Sequence, residues 1–114
     1  MTAGDIAGDD RMVTVYWRPG CGFCRGLLRG LERTGLAFEQ RNIWDDAEAA
    51  TFVRSVARGN ETVPTVRVQQ IALVNPTAAQ VLREVATRVP EQLPDGYEPP
   101  AGLIGRTFAR LRRG

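Results

Sequence analysis

The sequence feature that most constrains the fold is a pair of cysteines placed where a predicted strand gives way to a predicted helix. Residues 12–17 are mainly β-branched and aromatic, which is typical of a strand covered on both faces. Arg18-Pro19-Gly20 ends that strand. Cys21 and Cys24 follow, and between Phe23 and about Thr34 apolar residues recur with the period of a helix. The pattern predicts a strand, a break and a Cys-x-x-Cys pair at the start of a helix.

In the rest of the central region, predicted strands and predicted helices continue to follow one another. The predicted elements are a Gly35 helix cap, a strand at 37–43, a helix from an Asp45 or Asp46 N-cap to about Arg58, strands at 65–68 and 71–74, and a helix opened by Asn75-Pro76-Thr77 that reaches Val89, with Pro76 in its first turn. The order β-α-β-α-β-β-α over residues 12–89 predicts an α/β, thioredoxin-like, three-layer fold. We expect a four-stranded mixed sheet flanked by three helices, with a C-terminal extension.

The two ends of the chain differ from this central domain, residues 12–89. Residues 1–11 lack the basic and apolar regions of a secretory signal, and we predict a flexible N-terminal arm. Residues 90–114 are predicted to be a Pro-rich segment followed by a short basic amphipathic extension. No apolar run approaches the roughly 20 residues that cross a bilayer, so we expect a cytoplasmic monomer with no membrane partner.

Two features of the predicted first helix need a reason. Gly26 and Gly30 each cost the helix about 1 kcal/mol relative to alanine, and we expect a close packing contact on their shared flank. Arg25, Arg29 and Arg33 form a stripe at intervals of four residues. We interpret this stripe as a solvated helix face, the alternative being a surface for acidic partners. A net charge of only +2 indicates no nucleic-acid partner.

The two cysteines are the only ones in the chain, and their positions predict different roles. Three residues apart at a helix start, they lie close enough to form a disulfide. Cys21 precedes the first turn, where free N–H groups and the helix dipole stabilise a thiolate. Cys24 lies one turn further in and is more sheltered, and Arg18 adds a positive charge near the pair. We predict an exposed Cys21 that attacks and a buried Cys24 that resolves.

Other roles for the cysteines are constrained by what the chain lacks. A structural zinc site needs about four ligands, and this chain has two cysteines and no histidine. The absence of histidine also rules out a Cys–His hydrolase. Two inert buried cysteines remain an alternative, although the strand–loop–helix context favours a redox pair.

Three segments together resemble the glutaredoxin family, and within it most closely the mycoredoxins, which work with mycothiol. These segments are Tyr16 to Cys24, Thr62-Val63-Pro64-Thr65 and Asn75-Pro76-Thr77. The resemblance implies that Cys21 attacks a mixed disulfide between a protein and a low-molecular-weight thiol, and keeps that thiol as an adduct. A second thiol molecule, or Cys24, then clears the adduct. The resemblance also implies a cis Val63–Pro64 peptide, with the Val63 backbone against the bound thiol.

The implied site contains no metal and no bound cofactor, only a thiol as co-substrate. Its thiol-binding residues are Arg18, Gly22, Phe23, Thr62, Val63, Pro64, Asn75 and Thr77. Asn75 and Thr77 fall where glutaredoxins hold a carboxylate of glutathione, yet the segment 74–77 lacks the family's Gly-Gly pair and acidic residue. This departure favours mycothiol over glutathione and leaves helix capping as an alternative role for Asn75 and Thr77.

The implied partners are S-thiolated or disulfide-containing proteins, with a thiol reductase system acting indirectly. Three alternatives remain open from the sequence. The chain could be a dithiol electron carrier reduced by thioredoxin reductase, an iron–sulfur carrier that uses Cys21 of two chains, or a redox-responsive binding module.

Overall fold

The computed structural model describes residues 13–97. Its elements are β1 (Val13–Trp17), α1 (Gly22–Thr34), β2 (Glu39–Asn42), α2 (Ala47–Val56), β3 (Thr65–Val68), β4 (Ile71–Val74) and α3 (Ala78–Arg88), followed by a short 3₁₀ turn at Pro90–Gln92. The predicted order of strands and helices is confirmed, and the bounds of β3 and β4 match the prediction. The fold is the expected thioredoxin-like α/β arrangement.

The four strands form one mixed sheet in the order β2-β1-β3-β4. Strand β2 pairs in parallel with β1, while β3 is antiparallel to both β1 and β4. Because β1 and β2 are parallel, the segments that follow them emerge at the same edge of the sheet. That edge carries the cysteine pair, directly after β1.

Both faces of the sheet are covered, so the molecule has three layers. Val13 and Val15 of β1 pack with buried residues of α1 and α3 on one face. Tyr16 packs against α2 on the other face, where its ring stacks on Phe52 with centroids 4.9 Å apart. This alternation explains why β1 is apolar at nearly every position: each of its faces touches a different helix layer.

Each helix starts at a side-chain cap. Cys21 caps α1, Asp46 caps α2 by accepting the Ala49 N–H at 3.1 Å, and Thr77 caps α3. Gly35 ends α1 with φ +85°, as predicted, because a left-handed C-cap favours glycine.

Three local predictions were wrong. Strand β2 covers only Glu39–Asn42 rather than 37–43, since it is an edge strand that pairs with β1 alone over those four residues. Pro76 precedes the Thr77 cap instead of occupying the first turn of α3. The predicted close contact is present at Gly30, where an added Cβ would lie 3.2 Å from the Ala78 Cβ. It is absent at Gly26, where an added Cβ would have no neighbouring atom within 4 Å.

The chain continues beyond α3 against the domain. Leu93 and Tyr97 pack on the cluster shared by α1, α3 and the sheet. The predicted N-terminal arm, residue 12 of the predicted first strand, and the basic extension lie outside the described residues.

Candidate active site

Cys21 lies at the N-cap of α1 and uses its sulfur as the cap. The Sγ atom accepts the backbone N–H of Cys24 at 3.2 Å and lies 3.8 Å from the Val63 carbonyl oxygen, to which the thiol donates. The sulfur therefore occupies the N-terminal end of a helix, the end toward which unpaired N–H groups and the positive end of the helix dipole point. The prediction of an exposed Cys21 is wrong: the residue is buried, with 7% of its surface exposed, because the loop that carries Val63 lies against its sulfur.

Cys24 lies one turn into α1 and is only 1% exposed. Burial, more than its hydrogen bond with Cys21, raises the pKa of the Cys24 thiol to about 12. A hydrogen bond with the Arg18 backbone and the charge of the Arg18 guanidinium both lower the pKa of Cys24, but by less than burial raises it. Cys24 is therefore a protonated thiol at neutral pH, beside a Cys21 sulfur that receives an N–H. The pair combines a more accessible sulfur with a sheltered one, as thiol–disulfide exchange requires.

Arg18 follows β1 and turns its side chain along the edge of the sheet. Its guanidinium donates to the Pro19 carbonyl at 3.1 Å and lies 5.7 Å from the centroid of the Trp44 ring. Within residues 13–97 no side-chain hydrogen bond joins Arg18 to either cysteine, and its charge acts on Cys24 through space. Trp44 is 64% exposed and follows β2 at the same edge. The sequence prediction missed Trp44, whose only signal was an apolar ring directly after an edge strand.

The segment before β3 faces the cysteine pair. The Val63–Pro64 peptide is cis, as the resemblance implied. The Val63 carbonyl accepts from Cys21, and the Pro64 carbonyl accepts the Asn75 N–H at 2.7 Å. The Thr62 carbonyl accepts the Thr65 hydroxyl at 2.8 Å, which fixes the turn into β3. These contacts join the loop before β3, the loop before α3 and the start of α1 around one sulfur.

Thr77 and Asn75 differ in what they do for α3. Thr77 forms a capping box: its hydroxyl accepts the Gln80 N–H at 3.1 Å, and its own N–H donates to the Gln80 side chain at 2.9 Å. Thr77 therefore caps α3. Asn75 has φ +55° and does not cap the helix; its backbone instead reaches Pro64.

A groove of about 430 Å³ lies between the N-terminal half of α1 and the start of α3. It is lined by Gly22, Phe23, Gly26, Leu27, Asn75, Pro76, Thr77 and Ala78. Four predicted site residues, Gly22, Phe23, Asn75 and Thr77, thus share one cavity. The ring of Phe23 is 76% exposed at its rim. The sequence prediction missed Gly26, Leu27, Pro76 and Ala78, because only the packing of α1 against α3 brings them here.

No three His, Cys, Asp or Glu side chains within residues 13–97 converge in the way that a metal ion needs. Among the helices of the same range, none has the length and apolar character to cross a membrane.

A family model and a curated relative both match this chain over more than half of its length. A model of the glutaredoxin family matches residues 13–71, just over half of the chain. Mycoredoxin 1 of Corynebacterium glutamicum is 39% identical over 74 residues, an alignment that covers 64% of this chain and 91% of that protein.

Solved structures share the fold. The glutaredoxin-like NrdH-redoxin of Escherichia coli, described as having a thioredoxin-like activity profile, is 28% identical with a TM-score of 0.55. That match covers 63% of this chain and 92% of the other. A buckwheat glutaredoxin–glutathione complex, 15% identical with a TM-score of 0.52, covers 70% of this chain and 74% of its own and shows the fold alone.

Proposed function

Because the chain belongs to the glutaredoxin family, we propose that it reduces mixed disulfides between proteins and a low-molecular-weight thiol, with mycothiol as that thiol. Its activity class is that of a glutaredoxin- or mycoredoxin-type thiol–disulfide oxidoreductase carrying the Cys21–Cys24 pair. Proteins with disulfides are the substrates of that class. The roles of individual residues and the choice of thiol are our proposal.

In the proposed first step, the Cys21 thiolate attacks the mycothiol sulfur of the mixed disulfide. A bond forms between Cys21 and that sulfur, the original disulfide bond breaks, and the substrate protein leaves as a thiolate that takes up a proton. In the second step, another mycothiol thiolate attacks the mycothiol sulfur of the adduct, which forms mycothiol disulfide, breaks the bond to Cys21 and releases Cys21 as a thiolate. Alternatively, Cys24 attacks Cys21, which releases mycothiol and forms the intramolecular disulfide. On that route two mycothiol thiolates in succession reduce the Cys21–Cys24 disulfide and leave as mycothiol disulfide. On either route a reductase system then reduces mycothiol disulfide to two thiols.

The observation that carries this proposal is the asymmetry of the two sulfurs. Cys21 receives an N–H at the first turn of α1 and retains some exposure, whereas Cys24 is closed off with a pKa of about 12. Such a pair favours attack by Cys21 and clearance by an external thiol, because Cys24 is almost fully protonated near pH 7.

Three other parts of the site complete the proposal. The Val63 backbone, already facing the Cys21 sulfur, pairs with the bound thiol next to Thr62 and Pro64. Gly22, Phe23, Asn75 and Thr77 contact it along the groove, and Arg18 supplies positive charge on the side of Cys24, outside the groove lining. We assign catalysis to residues 12–89 in the reducing cytoplasm, and treat residues 90–114 as an extension.

The choice of mycothiol has two supports. The alignment with mycoredoxin 1 covers nearly all of that protein. In addition, the segment 74–77 carries no acidic residue before α3, which departs from glutaredoxins that hold glutathione.

A parallel turnover assay tests the proposal. Wild type, Cys24→Ser and Cys21→Ser are compared with mycothiol and its reductase, with glutathione and its reductase, and with thioredoxin reductase alone. We expect turnover with mycothiol in wild type and in Cys24→Ser, and none in Cys21→Ser, since only Cys21 is required for clearance by an external thiol. Turnover with thioredoxin reductase alone would overturn the proposal.

A second candidate is a dithiol electron carrier reduced directly by thioredoxin reductase. The similarity to NrdH-redoxin, with its thioredoxin-like activity profile, favours this candidate. A dithiol carrier needs both sulfurs, so Cys24→Ser abolishes its activity. The same variant therefore separates the two functions.

A further inference from the structure

Gly26 occupies a helix-interior position that packing does not explain. Gly30, one turn further along α1, has the Ala78 Cβ 3.2 Å from where its own Cβ would lie. A Cβ added to Gly26 would have no neighbouring atom within 4 Å. Glycine is less favourable than alanine inside a helix, so the fold gains nothing from a glycine at this position.

The open space beside Gly26 belongs to the groove. Gly22 and Gly26 are four residues apart, so both lie on the same face of α1. Both line the cavity between α1 and the start of α3. Gly22 and Gly26 contribute only backbone to the α1 wall, beside Phe23 and Leu27, and a side chain added at position 26 would take up space at the groove.

We infer that Gly26 is a specificity-determining residue that keeps the groove wide enough for the uncharged body of the low-molecular-weight thiol bound to Cys21. The inference rests on the proposed function and names where its co-substrate lies. The Cys21 sulfur lies beside Val63, and the two residues that follow Cys21 in the chain, Gly22 and Phe23, line the groove. The body of a thiol joined to Cys21 extends along Gly26 toward Asn75 and Thr77.

The size of the groove fits a small molecule rather than a folded partner. Its volume of about 430 Å³ falls within the range of small-ligand sites, roughly 300–1,000 Å³. A stable protein interface instead covers about 800 Å² on each partner.

The chemistry of the lining fits an uncharged molecule. None of the groove residues is ionised: they offer apolar surface, backbone, one amide at Asn75 and one hydroxyl at Thr77. The Thr77 hydroxyl and N–H are already used by the capping box with Gln80. An ionised carboxylate in the groove would find no cationic side chain among the lining residues. A neutral molecule with hydroxyl groups needs no such partner, because it carries no charge.

Single-turnover kinetics on the full chain test this inference. The probe is a mixed disulfide of a short peptide with mycothiol, and the comparison substrate is hydroxyethyl disulfide, which has no body to place in the groove. Gly26→Ala and Gly26→Leu are compared with wild type. For the mycothiol probe, we expect the half-saturating concentration to rise about threefold in Gly26→Ala and at least tenfold in Gly26→Leu, with the limiting rate unchanged. The second-order rate with hydroxyethyl disulfide should stay within about twofold of wild type.

Thr87→Leu provides a matched control, because it adds an exposed apolar side chain to α3 ten residues from Thr77, about 15 Å along the helix. It should leave both substrates unaffected. If a folded Gly26→Leu protein has the same half-saturating concentration of the mycothiol probe as wild type, the inference is overturned and the proposed function stays intact. Equal loss with both substrates would also overturn it, as a general defect. A wild type that reacts with hydroxyethyl disulfide but not with the mycothiol probe would refute the thiol assignment and the inference together.

Discussion

The pKa of Cys24 predicts how fast the protein can clear its own adduct. With a pKa of about 12, the fraction of Cys24 present as thiolate at pH 7 is about one in 10⁵, against about one in 10² for a thiol at the ordinary value of 9. The main cause is burial, which an adduct on Cys21 does not remove. Since only the thiolate attacks, release of the bound thiol by Cys24 should rise about tenfold per pH unit from pH 7 to 10.

The assay starts from Cys21 loaded with one equivalent of mycothiol, with no free thiol present. Released mycothiol is measured by mass spectrometry over time at each pH. The matched control is Cys24→Ser, which should hold its adduct at every pH because nothing else in the chain can displace it. Added mycothiol should clear both proteins quickly at pH 7.

A release rate that levels off between pH 7 and 9 would refute this reasoning. It would mean that Cys24 ionises near neutrality in spite of its burial. The dithiol route would then compete with the external thiol under ordinary conditions, and the carrier function would gain support.

Three other predictions concern stability. Asp46→Ala should lower the free energy of unfolding by about 1 kcal/mol in urea titration, whereas Asp46→Asn, which keeps the cap, should lose less than half of that; equal losses would contradict the capping role. Gly26→Ala should raise the free energy of unfolding by about 0.5–1 kcal/mol, and Gly30→Ala should give no gain because of its contact with Ala78, so equal gains would show that the contact relaxes freely. In reduced protein the raised pKa of Cys24 contributes stability below pH 9 that is lost as the pH rises toward 12; Cys24→Ala should therefore lose stability less steeply over that window, and identical slopes would contradict a buried thiol.

Local patterns were sufficient for most of the fold. The turn Gln69-Gln70 between two short β-branched runs gave the bounds of β3 and β4, and the Asp46 cap was already one of two adjacent candidates. The apolar run of β1 indicated a strand with both faces covered. The cis Val63–Pro64 peptide came only from the resemblance to glutaredoxins, because no local rule distinguishes it from a trans bond.

Local sequence patterns could not predict the groove, because it lies between two helices that are distant in sequence. Gly26 and Gly30 look alike in the sequence, yet one packs on Ala78 and the other faces open space. The same limit applies to Cys21, whose enclosure depends on the loop that carries Val63. Pairwise packing across the fold, rather than helix periodicity, decides both cases.

The most direct test of the central claim is which sulfur reacts first. Fully reduced protein at pH 7 is treated with a limiting amount of iodoacetamide, and peptide mass spectrometry locates the label, with urea-unfolded protein as the control. We predict that label on Cys21 exceeds label on Cys24 by at least about 100-fold in the folded protein, because Cys24 is buried and protonated. Equal labelling of the two, or preferential labelling of Cys24, would contradict the assignment of Cys21 as the nucleophile.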